Sequence, residues 1–175
     1  MSEQTKKKAI IGANELVSFG SRAVDIPAKI DTGADSSSVW ASNIRVDRDG
    51  ILRFSLFGEG SEYYNGKTFK RTDFKVASVK NSNGKSEVRY QTHLTVQIAG
   101  RKIRANFNLS DRSNNTFKIL IGRRTINSKF VVDVSQKETF SPKPAKTKNL
   151  NKELRKNPYQ FHKKYSKINM MGGKI

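Results

Sequence analysis

The chain contains no cysteine. That excludes a disulfide scaffold, a thiol enzyme and a zinc site with thiolate ligands. Histidine is nearly as scarce. His93 and His162 are the only two, and no H-E-x-x-H pattern surrounds them. His93, in a strand-like segment, reads as a sheet-face residue rather than a ligand. There is also no G-x-x-x-x-G-K-[ST] loop, so nothing points to intrinsic ATP binding. No run of about 20 apolar residues exists, which excludes a membrane-spanning helix. The first ten residues are polar and basic with no apolar stretch behind them, so the expected address is the cytoplasm. Neither a metal nor a cofactor is expected.

Acidic residues are the other shortage. Fifteen Asp and Glu face 34 Lys and Arg among 175 residues, a formal charge of +19. The excess is uneven. Residues 1–8 form a basic extension with three Lys and one Glu. Residues 9–136 carry 20 basic and 12 acidic residues, and residues 137–175 carry 11 basic and two acidic ones. This last segment contains Pro142, Pro144 and Pro158, ends in Gly172-Gly173, and has few apolar residues. It is expected to be mostly disordered, with a short helix around Leu150–Lys156, because it has little apolar surface to offset its ordering entropy. Lys and Arg interleave there with Tyr159, Phe161 and Tyr165. The tail therefore reads either as a contact for a polyanion such as RNA or the ribosome, or as a solubilising extension.

Residues 9–136 read as an all-β domain. Candidate strands are Ala9–Ile11, Glu15–Phe19, Asp25–Ile30, Ser37–Ala41, Leu52–Phe57, Phe69–Lys80, Glu87–Ile98, Arg101–Leu109, Phe117–Ile121 and Phe130–Val134. Asp49-Gly50, Asn65-Gly66, Asn83-Gly84 and Ala99-Gly100 supply turn signals. Val88, Tyr90, Thr92, Leu94, Val96 and Ile98 alternate with polar neighbours, the period of a strand with one buried face. The one helix signal is short, near Arg124–Asn127. Closely spaced strands over this length suggest a small barrel or sandwich.

One tetrapeptide carries chemistry: Asp31-Thr32-Gly33-Ala34, after the strand Ile26–Ile30 and before a Ser-rich turn into Val39-Trp40-Ala41. An aspartic protease needs a carboxylate on a tight, rigid loop facing a second carboxylate. Glycine lets the backbone approach closely and adopt unusual angles. Its N–H can bond the Asp, the Thr hydroxyl can tie one loop to its partner, and a small residue next leaves room for substrate. About 90 residues downstream lies a hydrophobic strand ending in glycine, Ile119-Leu120-Ile121-Gly122-Arg123. A strand of this kind beside the aspartate loop is the second half of the retroviral-type pattern.

The chain resembles the retropepsin-like aspartic protease superfamily. More closely, it is similar to the bacterial family labelled "ATP-dependent zinc protease", whose neighbours often include ATP-grasp glutamate ligases. The resemblance rests on Ile11-Gly12, Glu15-Leu16-Val17, Ala28–Ser38, Leu109–Ser113, Ile119–Arg123 and Phe130–Val134. Together they span roughly residues 10–136 and exclude the basic tail. Val39-Trp40 stands where that family often has Leu-His, so this histidine is absent.

The resemblance implies a small closed barrel of the retropepsin type with one short helix, acting as a homodimeric aspartic-type endopeptidase. Asp31 of each chain would form the catalytic pair. Thr32 would brace the two loops, and Gly33 and Ala34 would hold the carboxylate and admit substrate. It also implies that Asp35, four residues after the catalytic Asp, meets Arg123; the alternative leaves both exposed. A flap would cover substrate. Val79–Tyr90 is the candidate, with Asn83 and Gly84 at its tip, although a plain surface hairpin explains the same residues. The dimer has independent support, because the chain carries one D-[ST]-G and two carboxylates must share a proton. The expected substrate is a peptide or acidic polypeptide. The competing class is a non-catalytic β-barrel that binds RNA, the ribosome or another polyanion.

Overall fold

Short β-branched runs between Gly and Asx turns produce eleven strands among the described residues. The structure, a computed structural model, describes residues 8–21, 23–80, 84, 86–136 and 145–171, with side chains placed at all of these except 145–148 and 166–171. Asn83 and nearly all of the basic extension 1–8 lie outside the described residues.

The strands are β1 (Ala9–Ile11), β2 (Asn14–Ser18), β3 (Ile26–Asp31), β4 (Ser37–Val46), β5 (Leu52–Leu56), β6 (Thr68–Arg71), β7 (Phe74–Lys80), β8 (Ser86–Ile98), β9 (Arg101–Ser110), β10 (Ile119–Gly122) and β11 (Phe130–Val132). Six of them run in the order β10-β3-β2-β8-β9-β4. The ring closes because β4 also pairs with β10, through Ile119↔Val39 and Leu120↔Ser38. β5 and β6 continue outward from β4, and β7 pairs with β8. β1 and β11 form a separate two-stranded parallel sheet, Ala9 opposite Phe130 and Ile10 opposite Val131. The chain is thus mostly β, with the closed ring that the family resemblance implied where strand spacing alone left barrel and sandwich open.

The core fills the ring. Val17, Ile26, Val39, Phe107, Ile119 and Ile121 have essentially no exposed surface. Each such side chain contributes roughly 1.5–3 kcal/mol by leaving water.

Three strand expectations need correction. Phe69–Lys80 is two strands, because the chain leaves β5 at Arg71 and joins β8 at Phe74. Asp73 sits in the crossover, its carbonyl accepting the Thr92 hydroxyl at 2.9 Å. Ser37–Ala41 is longer, since β4 runs on past a bulge between Ser42 and Arg45 to pair with β5. The alternation in β8 buries Thr92, Leu94, Val96 and Ile98, but Val88 is 71% exposed. There β8 pairs only with β7 and projects as a hairpin, so no second layer covers it.

A short helix, α1 (Arg123–Ile126), follows β10 directly, one residue ahead of the expected place. Within the tail the described residues include α2 (Ala145–Lys156), which contains the short helix expected at Leu150–Lys156, and α3 (Pro158–Met171). Local chemistry favours helix here. Pro158 suits a first helical position. The Asn157 carboxamide oxygen accepts the Gln160 N–H at 3.0 Å, an N-terminal cap. Phe161 and Tyr165 pack at a ring-centroid distance of 4.4 Å. Residues 142–175 form one compact unit and residues 1–141 another.

Candidate active site

Asp31 is the last residue of β3. Ala28 and Ile30 point into the core and Lys29 outward, so the strand delivers Asp31 to the rim of the ring, half-buried. Parallel pairing with β10 sets Gly122 beside it. Asp31 Oδ1 accepts the Gly33 N–H at 3.1 Å and the Ala34 N–H at 3.2 Å. The carboxylate is thereby fixed by main-chain donors of its own loop, which orients it before any substrate arrives. Gly33 makes this turn without a left-handed backbone. A Cβ there would come no nearer than 3.4 Å to any atom beyond its neighbours, so its expected conformational licence is not what the loop uses.

The glycine with a strict steric demand is Gly122. A Cβ on it would lie 2.5 Å from the Ser36 carbonyl carbon and 2.6 Å from its oxygen. This close approach lets the aspartate loop lie flat on the end of β10. Main-chain bonds then join the two: Arg123 N–H donates to the Ala34 carbonyl at 2.8 Å and Arg124 N–H to the Asp35 carbonyl at 3.1 Å. Ser37, buried at the start of β4, accepts the Gly122 N–H at 3.1 Å and shares a 2.8 Å hydrogen bond with the Thr125 hydroxyl. Ser38 Oγ bonds Ser110 Oγ of β9 at 2.9 Å. The serine run is therefore buried joinery that ties β4 to β9, β10 and α1, not simply a polar turn.

Arg123 Nη2 donates to Asp35 Oδ1 across 88 residues of sequence. Both side chains remain more than half exposed. The hydrogen bond first, and the Arg123 charge second, hold the Asp35 carboxyl below its ordinary value of 3.8; Arg124 adds to this and slight burial opposes it. Thr32, Asp35, Arg123, Arg124, Ile126 and Asn127 line a shallow hollow of about 470 Å³ on this face. Thr32 is exposed there.

Arg112 and Arg89 were not singled out for a role by the sequence. Arg112 is half-buried, and its guanidinium donates from Nε and Nη2 to the Phe117 carbonyl at 3.2 and 3.1 Å. Burial pushes its pKa down, the Arg89 charge adds to that shift, and the Asp31 charge opposes it. Arg112 thus feels both the Arg89 cation and the Asp31 carboxylate. Arg89 also pairs with Glu87 at 2.7 Å, on the hairpin formed by β7 and β8. Nothing in the spacing of Arg89 and Arg112 announces this convergence, because β9 and the hairpin must first be placed.

Other candidates lie elsewhere. Gly84 sits between the ends of β7 and β8 with a left-handed φ of 77°. His93 faces Asn106 across the β8–β9 ladder, with Nδ1 3.4 Å from an Asp73 carboxylate oxygen. Asp111 and Asp133 turn their carboxylates to the Ser113 and Ser135 N–H groups. Among the described residues no cluster of three or more His, Cys, Asp or Glu could hold a metal ion, and no helix is long and apolar enough to cross a membrane.

Comparison with known proteins agrees with this geometry. Residues 10–143 match the RimB-like family, described as retropepsin-like aspartic endopeptidase RimB. A protein of Shewanella pealeana named "Probable alpha-L-glutamate ligase" is 34% identical over 133 residues, 74% of this chain and 29% of that protein. One of the same name from Desulfotalea psychrophila is 31% identical over 137 residues, 76% of this chain and 29% of that protein. The chain thus spans less than a third of the length of these relatives. A solved Legionella pneumophila protein of unknown function (DUF785) superposes with a TM-score of 0.57 at 25% identity, covering 76% of this chain and 98% of that one. With the aspartate loop, the strand-Gly-Arg element and the ring all inside the matched region, the chain belongs to the RimB-like family of retropepsin-like aspartic endopeptidases.

Proposed function

We propose that the chain is an aspartic-type endopeptidase that hydrolyses peptide or related amide bonds between the Asp31 carboxylates of a homodimer, without a metal. The observation that carries this reading is the Asp31 carboxylate, pinned by the Gly33 and Ala34 N–H groups on a loop that the Asp35–Arg123 pair ties to the end of β10. Two carboxylates in contact share one proton, since both cannot ionise. The ionised one takes a proton from water, and the protonated one polarises the scissile carbonyl. Asp35 is engaged by Arg123, and the Asp111 carboxylate by the Ser113 N–H. A second copy related by a twofold axis would supply the missing carboxylate. The sheet of β1 and β11 suits such docking. Among the described residues each strand has an open edge, and the facing residues Ile10 and Val131 are 60% and 50% exposed.

The substrate is a peptide bearing carboxylates. The charges of Arg112 and Asp31 act on each other, the chain carries 34 Lys and Arg against 15 Asp and Glu, and relatives are named for glutamate ligation. The β7–β8 hairpin is the proposed flap over it.

The test is Asp31→Asn assayed with glutamate-rich and neutral peptides from acid to neutral pH. The variant should lose cleavage by several orders of magnitude while keeping its melting temperature. Cleavage at the wild-type rate would end the peptidase reading. One observation favours a second reading, a non-catalytic binding module: in the ligase-named relatives the matched region is 29% of a longer protein and could serve that protein's other part. On that reading wild-type and Asp31→Asn chains bind acidic peptides equally and cleave none.

A further inference from the structure

We infer that the C-terminal helical unit is a binding site for single-stranded nucleic acid. The inference stands whether or not Asp31 is catalytic, because the unit lies almost wholly outside the family match, which ends at residue 143.

Residues 142–175 contain ten Lys and Arg and a single acidic residue, Glu153. Glu153 is used internally. Its Oε1 accepts Lys164 Nζ at 2.6 Å and its Oε2 accepts the Tyr165 hydroxyl at 3.1 Å. No carboxylate of the unit remains to neutralise the others. Lys152, Arg155 and Lys156 recur at i, i+3 and i+4, so they share one face of α2, opposite the Leu150–Leu154 edge. All three are exposed. On α3, Phe161 and Tyr165 pack together, while Tyr159 and Lys163 occupy the opposite face. Tyr159 is 64% exposed, and Lys163 Nζ lies 5.2 Å from its ring centroid.

Exposed cations with no carboxylate, next to an exposed aromatic ring, match the two needs of a single strand: phosphates to neutralise and bases to stack. A membrane surface fits less well. Among the described residues of the unit the apolar side chains are few, and Phe161 and Tyr165 are turned onto each other.

The experiment uses the full chain and fluorescent 20-nucleotide oligo(U) RNA and oligo(dT) DNA, with dissociation constants followed against salt. Both oligonucleotides should bind with a steep salt dependence. Replacing Lys152, Arg155, Lys156 and Lys163 together by Gln should weaken binding at least tenfold and flatten the log–log slope by about 2–3, at roughly 0.7 per lost phosphate contact. Tyr159→Ala, checked for retained helicity, should weaken binding roughly five- to 100-fold and leave the slope unchanged, because it removes stacking and not charge. Three results would overturn the inference. The first is an unchanged constant and slope in the fourfold variant. The second is poly-L-glutamate of equal charge binding as tightly as oligo(U), with Tyr159→Ala harmless. The third is binding to phosphatidylserine vesicles, but not to oligonucleotides, that the fourfold substitution abolishes.

Discussion

Asp35 and Arg123 show how one pair of side chains reports on a distant juxtaposition. Their hydrogen bond spans the aspartate loop and the residue after β10, and both remain exposed to solvent. Solvent screening limits what such a pair adds to global stability. Its pH signature is still distinct. The Asp35 pKa is lower in the folded chain than its ordinary 3.8, so the pair's contribution is complete above that value and fades as pH falls through the folded pKa. Arg123→Gln should therefore lower the melting temperature slightly at neutral pH. The deficit should shrink towards zero as pH drops below 3.8, in parallel melts of the two proteins. A deficit that stays constant across that range would mean that Arg123 acts by packing alone.

At the scale of elements, the decisive contact is the end of β10 against the aspartate loop. Gly122 has no space for a side chain, because the obstacle is the Ser36 main chain and not a movable group. Gly122→Ala must push the loop away and strain the bonds from Ala34 and Asp35 to α1. A cost of about 1–3 kcal/mol or more is expected, read as a lower urea midpoint with unchanged m. The same substitution should abolish peptide cleavage even at temperatures where the chain stays folded. A fully stable and active Gly122→Ala chain would show that the loop does not depend on this approach.

At the scale of the whole molecule, the proposed site is half a site. If it is completed by a second copy, mixing wild-type chains with an excess of Asp31→Asn chains should reduce activity per wild-type chain, because mixed dimers hold one carboxylate. The fall should follow the statistical fraction of mixed dimers once subunits have exchanged, and specific activity should also fall on dilution. Activity that simply scales with wild-type content would place the second carboxylate within one chain.

The amino-acid sequence by itself settled what depends on local pattern. Alternating apolar residues and Asx-Gly turns marked most strands. Asp31-Thr32-Gly33 and Ile119–Arg123 could be recognised because each is a contiguous run with its own chemistry. The excess of Lys and Arg located the basic tail. Tertiary structure decided what depends on chains meeting far apart in sequence. It made Gly122, and not Gly33, the glycine with no room for a Cβ. It buried Ser37 as the acceptor of a strand 85 residues away, and brought Arg112 within reach of the Arg89 and Asp31 charges. It also capped α3 with Asn157 and joined α2 to α3 through the Glu153 bonds, which average composition does not register. The physical reason is common to all four: hydrogen bonds and close approaches are set by positions in space, and those positions exist only after the ring has closed or the helices have folded back.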